Sequence, residues 1–159
     1  MLRMTPLSEK DIDVCARLMT TSEPWSRYGI SFDAARALWR GALQHDADVV
    51  VAHQNDRARG FAWYVTHGGF NLSGYLKLLG VSQEARGCGI GSALLAYVER
   101  RALAQEQHDL LLLVSDFNAL AQHFYQLHGY QEVGALTDYV CPGITELIYR
   151  KRLYEKEQV

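Results

Sequence analysis

Leu79-Gly80-Val81-Ser82-Gln83-Glu84-Ala85-Arg86-Gly87-Cys88-Gly89-Ile90-Gly91-Ser92 is the stretch that decides the fold. It links an apolar segment to a segment with helical spacing, and the glycines at positions 87, 89 and 91 alternate. Glycine accepts positive φ and leaves backbone N–H groups uncovered, while the start of a helix adds unpaired donors and a partial positive charge. The stretch therefore predicts a strand, an anion-binding turn and a helix. The alternative is a tight turn that uses glycine for geometry alone.

The segments that flank this turn predict one mixed α/β sheet. Tyr75–Val81 is the strand before the turn. Apolar residues at helical spacing mark one face of the helix after it: Leu94, Leu95, Val98, Ala102 and Leu103. Leu110–Val114 is an uninterrupted apolar run, typical of a strand covered on both faces. Because a helix separates the two strands, we expect them to lie parallel in the centre of the sheet.

Two amphipathic helices are expected before most of the strands. Ser8-Glu9-Lys10-Asp11 resembles a capping box, and the apolar residues after it recur at helical spacing. A second helix follows the break at Pro24-Trp25 and Gly29, and Asp33 is expected to cap it.

The remaining segments predict a hairpin, one more helix and two final strands. Val49–Ala52 and Gly60–Val65 are expected to pair antiparallel, with a glycine-rich loop at Gly68-Gly69 after them. A helix from Asn118 to His128 is expected to end at Gly129. The last strands are expected near residues 130–136 and 144–153. The resulting order is strand, two helices, three strands, helix, strand, helix and two strands, in a single domain over residues 1–159.

Composition and charge exclude several classes of protein. Sixteen Lys and Arg against 18 Asp and Glu give a net charge of −2, so nucleic acid is not expected as a partner. Apolar runs stop well short of the ~20 residues that cross a bilayer, and we expect a cytoplasmic protein without a membrane partner. Cys15, Cys88 and Cys141 lie far apart, which argues against a disulfide framework and against a metal site.

Two common phosphate-binding loops do not match the glycine turn. A P-loop requires Lys after its last glycine, and no Lys follows here. The dinucleotide pattern G-x-G-x-x-G fails because Ser92 occupies the third glycine position.

Two motifs carry a resemblance to a known family. Arg86-Gly87-Cys88-Gly89-Ile90-Gly91 resembles the Q/R-x-x-G-x-G/A signature of the GNAT superfamily of acyl-CoA-dependent N-acyltransferases. Asn118-Ala119-Leu120-Ala121-Gln122-His123-Phe124-Tyr125, with Gly129-Tyr130, resembles its second motif, N-x-x-A-x-x-F-Y-x-x-x-G-F/Y. The resemblance implies a mixed, mostly antiparallel sheet with a central, splayed parallel strand pair, flanked by four helices.

The resemblance also implies an acetyl-CoA site without a metal. Leu79, Gly80 and Val81 would pair through their backbone with the pantetheine arm. The amides of the glycine turn would hold the pyrophosphate beside Arg86, and they belong to Gly87, Cys88, Gly89, Ile90, Gly91 and Ser92. Asn118 would contact the cofactor, and Tyr125 would protonate the departing thiolate as a general acid. Without the family match, the preferred interpretation of Tyr125 is a core aromatic packed beside Phe124, and the match reverses that preference.

The residue that removes a proton from the acceptor is not evident from the sequence. Tyr75–Leu79 contains no carboxylate, and Leu113 stands where ribosomal-protein N-terminal acetyltransferases carry glutamate, which argues against that subfamily. The candidates for a base or relay are Asp116, His67, His123 and Tyr75. An acceptor amine that arrives neutral is the alternative.

The resemblance implies that the first two helices and the loops near the last strands recognise the acceptor. Trp25 and Tyr28 are hypothesised to line the acceptor pocket, with helix packing as the alternative. The Asp138–Gly143 segment and Glu146 supply carboxylates that can hold a cationic amine.

The leading function is N-acetyl transfer from acetyl-CoA to a small-molecule amine or a protein amino group, by direct attack in a ternary complex. A homodimer is compatible with the resemblance. The alternative is a catalytically silent acetyl-CoA-binding sensor or assembly module, which the missing carboxylate favours and the pair Asn118 and Tyr125 disfavours.

Overall fold

A computed structural model describes residues 1–154, and the last five residues of the expected domain lie outside the described residues. The strands are β1 (Leu2–Pro6), β2 (Asp48–Gln54), β3 (Arg57–Gly69), β4 (Ser73–Val81), β5 (Asp109–Ser115), β6 (Gln131–Thr137) and β7 (Thr145–Arg152). The helices are α1 (Ile12–Thr20), α2 (Phe32–Gln44), α3 (Ile90–Ala104) and α4 (Ala119–Leu127). This order of elements confirms the order expected from the sequence.

The strands form a seven-stranded sheet in the order β1-β2-β3-β4-β5-β7-β6. Its pairs are mostly antiparallel, and β4 and β5 form the expected parallel pair. Their registered partners are Gly74 with Leu110, Tyr75 with Leu111 and Leu76 with Leu112. The mixed α/β fold class is therefore confirmed. The chain divides into two compact units, which are described in turn.

The first unit contains residues 1–64 and 78–97, and aromatic side chains fill its core. Trp39 of α2 is fully buried, and its ring meets Phe61 of β3 edge-on with 4.6 Å between centroids. Trp39 also lies 5.9 Å from the Trp63 ring. Helix α1 contributes buried apolar residues at its expected positions: Ile12, Cys15, Ala16 and Met19.

The start of α1 has the expected capping box. Ser8 N donates to Asp11 Oδ2 over 3.1 Å, and the Ser8 hydroxyl donates to the same oxygen. These contacts precede α1 itself, because Glu9–Asp11 forms a turn of 3-10 helix.

The second unit contains residues 65–77 and the described residues 98–154. Its central strand is β5, where Leu110 and Leu112 are buried, and β7 pairs antiparallel with β5 from Asp109 to Ser115. Strand β6 lies outside β7, with an irregular register between Glu132 and Gly134.

Three local expectations were wrong. Ser31 caps α2, because its hydroxyl accepts a hydrogen bond from Ala34 N at 3.1 Å, and Asp33 lies in the first turn. Gly68 and Gly69 belong to β3, which turns only after Gly69. Leu103 is exposed, so the buried face of α3 ends at Ala102.

Candidate functional site

The glycine turn before α3 has the backbone geometry that its sequence requires. Gly87 has φ +75° and Gly89 has φ +79°, a region that side chains rarely adopt. A Cβ atom added at either glycine would have no heavy atom within 4 Å, so the space over the turn is open. In anion-binding turns of other proteins, alternating conformations of this kind turn successive N–H groups toward one side.

Helix α3 begins directly after this turn. Its first hydrogen bond runs from Ala93 N to Gly89 O at 3.0 Å. The amides of Ile90 and Gly91 precede that bond and belong to the first turn, whose N–H groups have no acceptor one turn earlier in a helix. The Ile90 side chain is buried, whereas Arg86 and Cys88 are exposed. The core thus anchors the start of the helix, whereas residues 86–89 of the turn are exposed.

The end of β4, before the turn, packs too tightly for a side chain at Gly80. A Cβ at this position would lie 2.8 Å from Phe61, 3.0 Å from Leu18 and 3.1 Å from Trp25. Leu79 and Val81, on either side, are half-buried. Glycine at this position therefore lets the aromatic core reach the strand backbone.

The two residues hypothesised to line the acceptor pocket lie in the same unit as Gly80. Trp25 is only 8% exposed, and its ring lies 5.7 Å from that of Phe61. Tyr28 is half-buried. Trp25 thus has an evident packing role, and its contact with the acceptor stays a prediction.

Tyr125 lies in the second unit, within an aromatic cluster. Its ring is 5.2 Å from Phe124, 5.6 Å from Tyr130 and 6.5 Å from Tyr149. Burial raises the pKa of the Tyr125 hydroxyl above the ordinary tyrosine value, and the charge of Tyr75 raises it further. The hydroxyl is protonated at neutral pH, as an ordinary tyrosine is, and its raised pKa makes it a weaker acid than a tyrosine in water.

Asn118 caps the helix that carries Tyr125. Its Oδ1 accepts a hydrogen bond from Ala121 N at 3.2 Å, which satisfies a donor of the first turn. Gly129, with φ +87°, follows the helix as expected. Asn118 and Gly129, which both belong to the second motif, thus lie at the two ends of the short helix that carries Tyr125.

The candidates for a base differ in burial. Asp116, His67 and His123 are exposed, and Tyr75 is half-buried. Burial raises the pKa of the Tyr75 hydroxyl, and the charges of Tyr139 and Glu146 raise it further. Asp116 Oδ2 accepts a hydrogen bond from Thr145 N at 3.2 Å, so this carboxylate holds the start of β7.

Glu146, which the sequence analysis named as a carboxylate that can hold a cationic amine but not as a base, is buried. It is 4% exposed, and Ser115 Oγ lies 3.1 and 3.2 Å from its two oxygens. The sequence signal was a glutamate soon after the turn at Pro142-Gly143, but only the pairing of β5 with β7 buries it.

A separate cavity of about 830 Å³ lies in the first unit. It is bordered by the start of α1, the β2–β3 turn and the segment after β4, and none of the residues predicted for the site lines it. Charges of both signs line it and several are paired, for example Arg59 with Glu84 at 2.9 Å.

Comparison with known proteins identifies the family. The sequence model of the acetyltransferase (GNAT) domain matches residues 45–132, more than half of the chain, including the glycine turn and Tyr125. The protein belongs to the GNAT acetyltransferase family. GNAT acetyltransferases acetylate amines. No curated protein matches the sequence.

Solved structures share the GNAT fold at low sequence identity. A GNAT-family protein from Desulfovibrio desulfuricans is 21% identical, with a TM-score of 0.82 over 97% of this chain and 100% of that chain. An aminoglycoside 6'-N-acetyltransferase complexed with coenzyme A is 17% identical, with a TM-score of 0.79 over 98% and 99%. A Salmonella typhimurium protein solved with its cofactor acetyl-CoA is 14% identical, with a TM-score of 0.75 over 100% and 98%.

Two further observations concern metals and membranes. Within residues 1–154, no group of three or more His, Cys, Asp or Glu side chains is arranged to hold a metal ion. In the same range, each helix is too short or too polar to span a bilayer.

Proposed function

We propose that residues 1–159 form one N-acetyltransferase domain that moves the acetyl group of acetyl-CoA to a primary amine by direct attack in a ternary complex. Membership of the GNAT family supports acetyl transfer. Two proteins of the same fold were solved with coenzyme A or acetyl-CoA, which supports the choice of donor.

The glycine turn fits the pyrophosphate of this donor. Its open space and the amides of the first turn of α3 are what an anion requires. The residues that would hold the donor are Leu79, Gly80, Val81, Arg86, Gly87, Cys88, Gly89, Ile90, Gly91, Ser92, Asn118 and Tyr125. Bound acetyl-CoA supplies the acetyl group as an activated thioester, and backbone N–H groups would polarise its carbonyl.

Tyr125 is the residue that we propose to act as the general acid. Its buried hydroxyl, with a raised pKa, keeps its proton at neutral pH. A thiolate is the leaving group of the reaction, and a positioned general acid that protonates it accelerates such a step by roughly 10²- to 10⁴-fold. We assign this role to Tyr125.

The acceptor is a small-molecule amine or the amino group of a protein. Trp25 and Tyr28 are the proposed acceptor residues of the first unit, and the half-buried Tyr28 is the one whose side chain reaches solvent. One protein of the same fold is an aminoglycoside 6'-N-acetyltransferase, so aminoglycosides belong among the amines to be tested.

The first test is thermal unfolding with acetyl-CoA, CoA or NADPH. A ligand at ~100 times its Kd stabilises a single-site protein by roughly 2.7 kcal/mol, which raises Tm by several degrees. We expect a rise with acetyl-CoA and CoA and none with NADPH. The absence of any rise, with bound CoA excluded by mass spectrometry, would overturn the donor assignment.

The second test is release of CoA thiol from acetyl-CoA in the presence of amines. Polyamines, amino-acid amides, aminoglycosides and peptides with a free N-terminus form the panel, and mass spectrometry identifies the acetylated product. Thiol release that depends on an amine supports the proposal. Acetyl-CoA binding without turnover on any amine would instead support the silent sensor or assembly module.

A further inference from the structure

The cavity of about 830 Å³ in the first unit is lined by none of the residues proposed for acetyl transfer. Its wall consists of the start of α1, the β2–β3 turn and the segment after β4. Sites for small molecules in proteins measure roughly 300–1,000 Å³, so the cavity has the size of a ligand site. The polar groups of its wall indicate which class of ligand it fits.

Two buried polar atoms of this wall make no hydrogen bond within residues 1–154, and they are Arg59 Nε and Ser82 Oγ. Their residues are neighbours, because Ser82 N donates to Arg59 O at 2.7 Å. The Arg59 side chain is 23% exposed and Ser82 is half-buried, so rotation of either side chain presents its unpaired group to the cavity. Unpaired buried donors cost free energy, and two adjacent ones indicate a place where an acceptor binds.

The carboxylates of the wall already have partners. They are Asp11 with His53 at 2.9 Å, Asp13 with Arg36 at 2.7 Å, Asp56 with Arg3 at 3.5 Å and Glu84 with Arg59 at 2.9 Å. Arg3 and Arg36 do not line the cavity, so they neutralise two of its carboxylates from outside.

Three cations of the wall make no ion pair in the part of the chain that the structure describes, and they are Lys10, Arg17 and Arg57. All three residues are exposed. The Arg17 guanidinium lies 5.9 Å from the centroid of the Phe32 ring, a contact that orients the side chain and leaves its charge uncompensated. Because the carboxylates are paired and these cations are not, the cavity fits an anion.

A phosphate group fits these donors better than a carboxylate does. The guanidinium of arginine presents N–H donors in a planar fork that matches the oxygens of either group. Arg59 Nη1 donates to Glu84, whereas its Nε is unpaired. A phosphate monoester carries about 1.5–2 negative charges at pH 7, against one for a carboxylate, and therefore compensates more of the unpaired positive charge.

We propose that this cavity is a binding site for a small phosphorylated ligand. Arg59 and Ser82 hold its phosphate group by hydrogen bonds. Lys10, Arg17 and Arg57 compensate its charge. The site is separate from the proposed donor and acceptor sites, and it does not depend on the proposed function.

The first experiment is calorimetric titration of the whole protein at low salt. The probes are inorganic phosphate and glucose 6-phosphate. Glucose lacks the phosphate group, and glucuronate carries a single carboxylate in its place, so these two sugars are the matched controls. We expect both phosphate probes to bind, glucose not to bind and glucuronate to bind more weakly than glucose 6-phosphate. Absence of binding by both phosphate probes, or equal binding of glucuronate, would overturn the proposal.

The second experiment replaces Arg59 with lysine. Arg59→Lys keeps the positive charge but lacks the planar fork of donors. We expect the Kd of glucose 6-phosphate to rise at least about tenfold, the effect of losing one hydrogen bond to a charged group. Arg40→Lys, at an exposed position of α2 outside the cavity, is the control and should leave the Kd unchanged. An unchanged Kd in Arg59→Lys would overturn the proposal.

Ser82→Ala distinguishes a ligand-binding hydroxyl from a structural one, and it decides the matter if Arg59→Lys does not fold. The variant removes a buried hydroxyl that has no partner, so we expect Tm without ligand to be at least that of the wild-type protein. The Kd of glucose 6-phosphate should nevertheless rise. A lower Tm together with an unchanged Kd would show that the hydroxyl is structural and would contradict the phosphate site.

The glycine turn before α3 is a second place for phosphate to bind, so the titration is repeated with Gly89→Ala. We expect this variant to bind glucose 6-phosphate as the wild-type protein does. Loss of binding in Gly89→Ala but not in Arg59→Lys would place the phosphate at the turn and overturn the separate site. These titrations contain no acetyl-CoA. If the protein binds no acetyl-CoA but its phosphate affinity depends on Arg59, the donor assignment fails and the cavity site stands.

Discussion

His53 Nε2 lies 2.9 Å from Asp11 Oδ1, and both side chains are buried. The other oxygen of Asp11 accepts the hydrogen bonds of Ser8, so one carboxylate joins the start of α1 to β2. We expect Asp11→Ala to lower the free energy of unfolding by about 3 kcal/mol, because it leaves buried donors unpaired. Urea denaturation measures the loss. Arg3→Ala, which breaks an exposed 3.5 Å ion pair with Asp56, should cost less than ~1 kcal/mol.

Tyr125→Phe tests the general acid. The variant keeps the ring in its aromatic cluster but lacks the proton that the thiolate requires. We expect kcat to fall by on the order of 10²-fold with little change in the Kd of acetyl-CoA. Tyr130→Phe, which removes another buried hydroxyl of the same cluster, is the control, since Tyr130 donates to Glu99 at 3.0 Å. Steady-state kinetics with an unchanged kcat in Tyr125→Phe would refute the role.

Gly89→Ala tests the glycine turn. The added methyl group has open space, but alanine at φ +79° costs roughly 1–2 kcal/mol and places a methyl group over the turn. We expect the increase in Tm caused by acetyl-CoA to disappear. Gly143→Ala is the matched control, because Gly143 also has positive φ, +82°, and open space. A retained increase in Gly89→Ala would show that the turn does not bind the pyrophosphate.

Cysteine labelling maps the same turn without any substitution. Cys88 is exposed, whereas Cys15 is 1% exposed and its pKa is raised to about 12 by burial and by the charge of Asp11. At pH 8 we expect N-ethylmaleimide to label Cys88 and to leave Cys15 unmodified. Acetyl-CoA should slow the labelling of Cys88 but not that of Cys141, as measured by peptide mass spectrometry. Equal labelling rates of Cys88 with and without acetyl-CoA would contradict the assignment.

The ionisation of Asp109 makes the free energy of unfolding depend on pH. Burial alone would raise the pKa of this carboxyl, but hydrogen bonds and charges from Arg150 and Arg152 outweigh burial and lower it. The Asp109 carboxylate therefore contributes to the free energy of unfolding above the ordinary carboxyl pKa of ~3.9. This contribution is lost as the pH falls through the lower pKa that Asp109 has in the folded protein. We expect Asp109→Asn to be less stable than wild type at pH 7, with the difference narrowing in acid. Chemical denaturation at several pH values should show no such convergence for Glu132→Gln.

The order of the elements could be read from the sequence because it depends on local patterns. Helical spacing from Ile12 and the apolar run Leu110–Val114 each indicate their structure within a few residues. The first residue of a helix was harder to predict, because two neighbouring residues can each act as the N-cap. Ser31 and Asp33 both suit an N-cap, and the choice depends on the extended backbone at Ser31, with φ −73° and ψ 157°.

The candidate site was only partly readable, because part of it depends on distant contacts. Gly87, Gly89 and Tyr125 belong to contiguous motifs. The burial of Glu146, by contrast, follows from its pairing with Ser115, 31 residues away in the sequence. Trp25 lies beside a proline and resembles a loop residue, but the missing side chain of Gly80 lets its ring into the core.

The irregular register of β6 protects an otherwise open edge. An outermost strand presents unpaired N–H and C=O groups that another chain can extend into a continuous sheet. In β6 the shift between Glu132 and Gly134 interrupts the regular spacing of those groups, and Val133 between them is 55% exposed. A strand from another chain could pair only with the short regular stretches of β6 on either side of this bulge. The bulge thereby disfavours polymerisation of the protein into fibres at high concentration.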